Sequence, residues 1–469
     1  MPFTTNNFPL FSIFTMKARF LPAITALLLA SCAVGPDFKG ASFEGLPESW
    51  VNAMPPATDQ HVLETWWHAF GDPQLDSLIE TGFAANQDMI NAALNIARAE
   101  SSLRAMKADL FPFVSGNFGG SNSGSYNTST SHGRWNGGLS ASWTPDIWGG
   151  TRREVEAAYA ALGSAQAAAA ATRTALASSI AVIYFQWISA QESLRIAKEQ
   201  LAYQERTYAA TSARHATGFD SSLDLSEATA TIASTRSQIP VYEANIKTCE
   251  NTLATYLGTT VDKINLTMPA PEVYNRIPTV PTGLPSDLLR RRPDIVAAEH
   301  NLHQACARVG VSVANLFPRL SLTGSTSTSS GTDFSHFWQN ATWNLGASVS
   351  QQLLNRVALR ESVKQAKLSH ATALNNYDKT VLSAFAEVEN SLIDYARYTA
   401  QLPQFEAACA ANKLSAELSM RRHIAGESDF LNVASAERAW LSSELNIISA
   451  RQNIRITLAR LCTALGGGW

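Results

Sequence analysis

The chain contains a duplication that spans most of its length. The segment Ala108–Pro112 (ADLFP) recurs as Ala314–Pro318 (ANLFP), 206 residues later, and Arg214–Gly218 (RHATG) recurs as Arg422–Gly426 (RHIAG), 208 residues later. A repeat of about 200 residues is far longer than the units of solenoid proteins. It predicts two similar half-proteins around a shared axis. Because duplicated halves are common in membrane transporters, the repeat favours a conduit over an enzyme with a single pocket.

The first 31 residues are typical of a secretory signal. Residues 16–19 (MKAR) are basic, and residues 20–30 are apolar over a length that suits a signal peptide rather than a membrane span. Residues 1–15 carry no charge, which favours Met16 as the true start. Residues 29–32 (LASC) resemble the lipobox of bacterial lipoproteins, which implies a mature chain that begins at a lipidated Cys32 and is tethered to a membrane. The alternative is an ordinary secretory signal with a coincidental cysteine.

Charge and cysteine content narrow the possible functions. Removal of the signal, with its two basic residues, leaves 34 basic and 39 acidic residues, a formal charge of −5. This balance gives no indication of nucleic-acid binding, which needs clustered basic charge. The remaining cysteines form no CxxC pair and are predicted to be small packing residues, with a disulfide as the alternative in an oxidising compartment. They are Cys249, Cys306, Cys409 and Cys462.

Each half contains a very long helical pattern. The first runs from about Thr151 to Thr217 and would be ~100 Å long, which requires coiled-coil partners. The second runs from about Arg356 to Ala425, and Pro403 is predicted to interrupt and kink it. A glycine ends each pattern, and a shorter helix then returns, capped by Ser221 or Ser222 in the first half and by Asp429 in the second. The uncharged stretch 174–191 is predicted to pack against protein, despite its likeness to a membrane span.

This pattern divides the chain into six parts. They are the signal peptide 1–31, a lipidated N-terminal arm 32–70, a first half-repeat 71–257, a proline-rich connector 258–285, a second half-repeat 286–465 and a C-terminal tail 466–469.

Each half also contains two strand-like segments with aromatic residues at their ends. Aromatic ends suit the interfacial girdles of outer-membrane barrels, and the lengths approach the ~9–11 residues that a tilted membrane strand needs. The alternative is the aromatic core of a soluble hairpin. The predicted strands are about 113–120, 135–144, 319–326 and 343–352, around serine-rich loops at 121–125 and 327–331.

Four strands cannot close a barrel in a membrane. An open edge in lipid leaves backbone groups unsatisfied at several kcal/mol each, and bacterial barrels begin at about eight strands. Several copies of the chain must therefore combine their strands. Two copies would give eight strands and three would give twelve, and the strand count leaves both open.

Three further segments resemble a known family. The segment Gly283–Ile295 (GLPSDLLRRRPDI) is similar to the central signature of TolC-like outer-membrane efflux proteins of the NodT branch. Cys32–Phe38 (CAVGPDF) and Ala464–Trp469 (ALGGGW) resemble the acylated start and the end of that branch, so the resemblance covers the whole mature chain. It implies a mainly α-helical homotrimer in which a shared twelve-strand β-barrel continues into a periplasmic α-barrel. It also implies a periplasmic adaptor and an inner-membrane pump, of resistance-nodulation-division type, as partners.

The resemblance also implies two sites near the helix ends. The hairpin tips would contact the adaptor, although a glycine there also serves the turn alone. Residues just past the tips would constrict the pore, and threefold symmetry would make acidic rings that bind cations. The alternative for these acids is that they complement helix dipoles. The tip residues are Thr217, Gly218, Phe219, Ala425, Gly426 and Glu427; the constriction residues are Leu223, Asp224, Glu227, Leu431, Asn432 and Ser435.

No enzyme motif accompanies these features. The sequence contains no HExxH, GxxxxGK[ST] or GxSxG, and His300 and His303 are interpreted as solvated or packed residues. We therefore predict no catalytic residue, metal or cofactor. The predicted function is an outer-membrane exit channel that passively conducts small toxic molecules expelled by a pump. The alternatives are the exit duct of a type I protein secretion system and a coiled-coil envelope lipoprotein without a pore.

Overall fold

The structure is a computed structural model that describes residues 33–43, 45, 47, 49–52, 64–126, 131–274, 276–278, 285–331 and 333–469. The predicted signal and Cys32 lie outside the described residues. The chain forms two compact units. The first contains the described residues as far as Ala41, with Arg98–Gly163 and Glu299–Asn375; the second contains Ser42–Ala97, Ser164–Ala298 and Asn376–Trp469.

Helices account for most of the described residues. The α-helices are α1 (Pro73–Ala85), α2 (Gln87–Ala108), α3 (Gly150–Ala216), α4 (Ser222–Tyr256), α5 (Pro271–Tyr274), α6 (Leu288–Arg291), α7 (Pro293–Ala314), α8 (Arg356–Ile424) and α9 (Phe430–Ala464). Short 3₁₀ helices cover Trp66–Phe70, Val261–Lys263, Pro285–Asp287 and Phe334–Asn340. The strands are β1 (Phe113–Gly124), β2 (Ser131–Trp143), β3 (Arg319–Ser330) and β4 (Thr342–Ser350).

The two long helices lie close to their predicted bounds. Helix α3 has 67 residues and α8 has 69. The predicted interruption at Pro403 is wrong, because α8 continues through this residue. A proline removes a single backbone donor, and the other hydrogen bonds of so long a helix persist around it. Helix α3 is long and apolar enough to cross a membrane by length and composition alone. Its stretch 174–191 nevertheless buries Ile180, Tyr184 and Trp187 in the second unit, as predicted.

The strands of the first unit form one antiparallel sheet in the order β1-β2-β3-β4. They extend further than predicted, since Ser121–Gly124 pair with Ser131–Arg134, and Ser327–Ser330 belong to β3. The loop predictions for these two serine-rich stretches are therefore wrong. Serine and glycine have low strand propensity, but a neighbouring strand that completes the ladder outweighs it. Strand β4 ends at Ser350, two residues before its predicted end.

The register gives the sheet two chemically different faces. Paired residues share a face, so the pairs Trp143↔Leu322 and Leu320↔Val349 place large apolar side chains of neighbouring strands together. Serine pairs such as Ser115↔Ser140 occupy the opposite face, where their hydroxyl oxygens lie 2.8 Å apart. The apolar face carries Val114, Phe118, Trp135, Leu139, Ala141, Trp143, Leu320, Leu322, Trp343, Leu345, Ala347 and Val349.

Glycines on the apolar face make room for large neighbours. A Cβ at Gly116 would lie 3.1 Å from Leu139 Cδ2, and one at Gly120 would lie 2.6 Å from the Trp135 ring. Gly324 stands opposite Leu345 in the same way. A large side chain that covers a cross-strand glycine restores packing that the glycine lacks. These pairs explain why glycine-rich segments form regular strands.

The N-terminal arm is fixed to the first unit by a buried arginine. The Val34 N–H donates to the Trp148 carbonyl oxygen at 3.1 Å. Arg153, whose side chain is 5% exposed, donates to the Val34 carbonyl oxygen and forms ion pairs with Asp37 and Glu156. Because each guanidinium N–H group has a fixed direction, one arginine holds three groups in place.

His303 also joins the arm to the first unit. Its ring stacks on Phe38 at 4.5 Å, and its Nε2 lies 2.9 Å from Glu156 Oε1. His303 is therefore a packed residue, which was one of the two interpretations.

The second unit contains the central signature and the C-terminus. Arg292 donates to the Ala464 carbonyl oxygen at 3.0 Å and forms ion pairs with Asp294 and Glu387 at 2.7 and 2.8 Å. The indole N–H of Trp469 donates to the Arg291 carbonyl oxygen. The signature therefore fastens the end of α9 inside this unit.

The four cysteines that the structure describes are all free. Cys306 and Cys462 are buried, whereas Cys249 and Cys409 are half-buried. Burial raises the pKa of the Cys249 and Cys306 thiols, which keeps them protonated and unreactive.

Candidate functional site

The second unit contains two helical hairpins that end in matching turns. Hairpin 1 consists of α3 and α4, and hairpin 2 of α8 and α9. In hairpin 1 the N–H groups of Gly218 and Phe219 donate to the carbonyl oxygens of His215 and Arg214. In hairpin 2 Gly426 and Glu427 make the same bonds to His423 and Arg422. This is the hydrogen-bond pattern of a helix that ends at a left-handed residue.

The backbone requires glycine at both turns. Gly218 has φ +80° and Gly426 has φ +78°, a conformation that costs other L-residues roughly 1–2 kcal/mol. A Cβ at either position would meet no heavy atom within 4 Å. The space beside each glycine is therefore open, and a side chain placed there would project outward from the tip.

An ion pair within hairpin 1 also contacts the turn of hairpin 2. Arg214 Nε lies 3.0 and 3.1 Å from the two carboxylate oxygens of Asp220, and Arg214 Nη1 donates to the Ile424 carbonyl oxygen at 2.6 Å. The ring of His423 also contacts Asp220, with Nε2 3.3 Å from Oδ2. Asp220 and His423 are both buried, so hairpin 1 holds hairpin 2 through a charge that water does not reach. We call Arg214, Asp220 and His423 the tip latch.

Asp224 makes a second connection between the hairpins. Its Oδ2 accepts hydrogen bonds from the Ser221 N–H and hydroxyl. The Ser221 hydroxyl oxygen in turn accepts from the Asp224 N–H. These reciprocal bonds form a capping box at the start of α4. Its Oδ1 accepts from the Phe430 N–H at 3.3 Å. Burial alone would raise the pKa of Asp224, but the hydrogen bonds from Ser221 and Phe430 outweigh it and lower the pKa.

These contacts clarify the predicted helix caps. Ser221, rather than Ser222, caps α4. Asp429 stands at the N-cap position just before α9, as predicted, but its side chain makes no capping bond. Asp224 accepts from the Phe430 N–H instead. Asp224 therefore stabilises both helix starts, which agrees with the interpretation of this acid as a helix N-terminal residue.

The other predicted site residues are largely exposed. Phe219 is 77% exposed, Leu223 66% and Leu431 54%, whereas Glu227 is half-buried. Asn432 Nδ2 donates to the Ser428 hydroxyl, and Ser435 is exposed. An open groove of about 780 Å³ lies between the hairpins and contains Asp224, Asn432 and Ser435 in its polar lining. Exposed apolar side chains beside a polar groove are typical of a surface that contacts another molecule.

The sequence-based prediction missed the tip latch. Its signal was nevertheless present, because the duplicated Arg-His pair precedes both glycines. His215 and His423 each place Nδ1 about 3 Å from a carbonyl oxygen five residues later, Asp220 and Ser428 respectively. The duplication therefore preserves a turn-closing histidine, while the acid that links the hairpins occurs only in the first copy. Among the described residues, no cluster of three or more His, Cys, Asp or Glu side chains could hold a metal ion.

Comparison with known proteins supports the same architecture. The family model described as outer membrane efflux protein matches residues 78–259 and 284–467. The antibiotic efflux pump outer membrane protein ArpC of Pseudomonas putida is 30% identical over 97% of this chain and 96% of its own length. Nodulation protein T of Rhizobium leguminosarum bv. trifolii is 28% identical over 96% and 97%. The open state of the Neisseria gonorrhoeae MtrE outer membrane channel superposes with a TM-score of 0.83 at 27% identity, covering 93% of this chain and 98% of that one.

The two-faced sheet and the paired hairpins define an outer-membrane efflux channel whose helices extend into the periplasm. The chain belongs to the outer membrane efflux protein family. The prediction of a TolC-like protein of the NodT branch is confirmed, as is the predicted fold of duplicated helical halves with four strands per chain.

Proposed function

We propose that the chain forms a homotrimeric, lipid-anchored exit channel of a tripartite pump. The channel passively conducts small toxic molecules, such as drugs, from the periplasm to the outside. It hydrolyses nothing and carries no metal or cofactor of its own, because the pump supplies the energy. The observation that carries the proposal is the sheet, which has one apolar and one polar face and, among the described residues, two edges without a partner strand. The chain that contains it matches the efflux family over most of its length.

Three copies of the sheet account for its open edges. Within the described residues, the outer edges of β1 and β4 have no partner strand. In lipid these edges must pair, and three copies joined edge to edge give a closed barrel of twelve strands. The apolar face would then contact lipid, and the serine-rich face would line a water-filled lumen. The resemblance to TolC-like trimers favours three copies over two.

The tip residues are proposed to contact a periplasmic adaptor. Phe219 exposes a large apolar ring next to Gly218, and Gly426 faces open space beside Glu427. The residues past the tips, including Leu223, Glu227 and Leu431, are proposed to constrict the pore. Asp224 contributes there mainly by holding the two helix starts together. The similarity to ArpC, an outer membrane protein of an antibiotic efflux pump, supports drug-like cargo. A pump of resistance-nodulation-division type is what the resemblance to the NodT branch implies.

Substitution of the tip glycines tests the adaptor contact. Aspartate tolerates the left-handed conformation better than most residues, so Gly218→Asp and Gly426→Asp should leave the turn and the trimer intact. We expect both changes to abolish efflux, because the new carboxylate places a negative charge where the adaptor would bind. The matched control is Gly218→Asn, which has the same shape without the charge. Efflux at the wild-type level in both aspartate variants would refute the tip assignment.

The proteins that bind this chain in the cell distinguish an efflux channel from a secretion duct and from a lipoprotein without a pore. Tagged protein is cross-linked in whole cells, purified, and its partners are identified by mass spectrometry. An adaptor with a proton-driven resistance-nodulation-division pump would support the proposal. An ATP-driven exporter would instead favour a protein secretion duct. A monomer without either partner would favour an envelope lipoprotein without a pore.

A further inference from the structure

About two to five helical turns from the tip of hairpin 1, α3 presents polar residues where a coiled coil normally has apolar ones. Gln200, Gln204, Thr207 and Thr211 follow the 4-3-4 spacing of core positions, and each is at most 3% exposed. Glu437 of α9, 1% exposed, completes this group. The Thr207 hydroxyl lies 3.3 Å from Glu437 Oε1. We call these five residues the buried polar seam, and its Thr207–Glu437 contact joins hairpin 1 to hairpin 2.

The seam provides too few hydrogen bonds for its polar groups. Gln200 Nε2, both amide atoms of Gln204 and Thr211 Oγ1 are buried without a partner. Each unsatisfied buried group costs roughly 1–3 kcal/mol. A stretch with several such groups is a weak part of the interface between the hairpins, and separation of the helices would let water satisfy them.

Glu437 is the group whose charge most affects this interface. A buried carboxylate normally needs several donors, but Glu437 has only the hydroxyl of Thr207. That hydroxyl is also 3.2 Å from the Tyr203 carbonyl oxygen, so its single proton cannot serve both acceptors. Burial therefore raises the pKa of Glu437 to about 7, and the bond from Thr207 only partly offsets this effect.

Burial and the Thr207 bond set the pKa of Glu437, and no charge on a neighbouring helix is among the causes. In α3, burial and the Glu437 charge raise the pKa of Tyr203, whereas Arg206 lowers it. In α8, the Glu417 charge raises the pKa of the same tyrosine, and His423 lies against Asp220. The buried residues of α4 are Ala228, Thr231, Thr235, Ile246, Leu253 and Ala254, and none of these titrates. No ion pair to Glu437 occurs in the described part of the chain.

We propose that Glu437 is a proton-controlled lock between the two hairpins: their packed arrangement, which we assign to the closed channel, is stabilised when the carboxyl is protonated and loosened when it ionises. This inference rests on the proposed channel function and adds a regulatory input to it. Packing of the hairpins raises the pKa of Glu437 above its usual value near 4.5. The packed state is therefore most stable below pH 4.5, where the carboxyl is protonated both in the packed and in the separated state. The stabilisation decreases as the pH rises and is lost above about 7.

Single-channel recording of the purified trimer in planar bilayers tests the lock. The wild-type open fraction is measured from pH 5.5 to 8.5. We expect the open fraction to increase with pH towards neutrality. The ionisation of one Glu437 can raise the equilibrium constant for opening by at most about tenfold per pH unit in each protomer. Glu437→Gln, which keeps the shape of the protonated acid, should remain mostly closed at every pH. Thr207→Val removes the donor to the carboxylate and should move the transition to higher pH.

Glu205→Gln is the control, because it removes an acid of α3 whose side chain is 51% exposed and lies outside the seam. It should retain the pH dependence of the wild type. If the wild type conducts but Glu437→Gln and Thr207→Val both keep its pH profile, the lock is refuted while the channel function stands. If the trimer conducts at no pH, the channel function itself fails.

Discussion

The tip latch makes a quantitative prediction for Arg214→Ala. The arginine forms two bonds to Asp220 and one to the Ile424 carbonyl, and the Asp220 side chain is only 3% exposed. Loss of one partner of a fully buried pair costs about 3–5 kcal/mol. Because Arg214 is 23% exposed and His423 still contacts the carboxylate, we expect a local loss of about 2 kcal/mol. This loss corresponds to a roughly 30-fold increase in the equilibrium constant for local opening of the tip.

Hydrogen exchange followed by mass spectrometry measures this opening. The peptide that contains Gly426 and Glu427 reports on the turn, because both N–H groups are bonded to carbonyls of α8. It should exchange roughly 30-fold faster in Arg214→Ala than in the wild type. Arg236→Ala, which removes an exposed pair with Glu205, should leave this exchange unchanged.

A double variant shows how much of the loss comes from leaving Asp220 buried without Arg214. Arg214→Ala with Asp220→Ala leaves no buried charge, so part of the lost protection should return. Equal exchange rates in Arg214→Ala and Arg236→Ala would refute the reasoning. The tip would then be held by helix packing and the Asp224 bonds alone.

Two further predictions concern the sheet and the C-terminal clamp. Leu345→Arg places a charge on the apolar face of the sheet and should destabilise the protein in the membrane by about 2–4 kcal/mol, seen as less folded protein in outer-membrane fractions. Asn344→Arg, on the polar face, should be tolerated. An equal loss of folded protein in both variants would contradict the assigned faces. Arg292→Ala removes the donor to the Ala464 carbonyl and the ion pairs with Asp294 and Glu387. It should destabilise the second unit by about 3 kcal/mol, seen as a lower thermal midpoint, while Arg236→Ala should not.

The sequence predicted the fold where its patterns were long. The duplication, the 67-residue helix and the glycine turns follow from repeats and helical periodicity, and each lies within a residue or two of its predicted bounds. The strands were predicted too short, since Ser121–Gly124 lack local strand propensity and depend on pairing with β2. Local composition contains no information about a partner strand, and this explains the error.

The candidate site could be predicted only in part. Gly218 and Gly426 were identifiable because a left-handed turn constrains the residue type. The contact between Asp220 and His423 joins residues that are 203 positions apart, and a single sequence does not reveal such pairs. The burial of Glu437 was equally invisible, because a glutamate within a helical pattern is normally exposed to solvent.

Native mass spectrometry of the protein extracted from outer membranes in detergent tests the central claim most directly. The account predicts three copies of the chain, each beginning at a lipidated Cys32. Three copies supply the twelve strands that close the open sheet edges of β1 and β4. A single copy that is stable in detergent would contradict the shared barrel, and two copies would contradict the trimer.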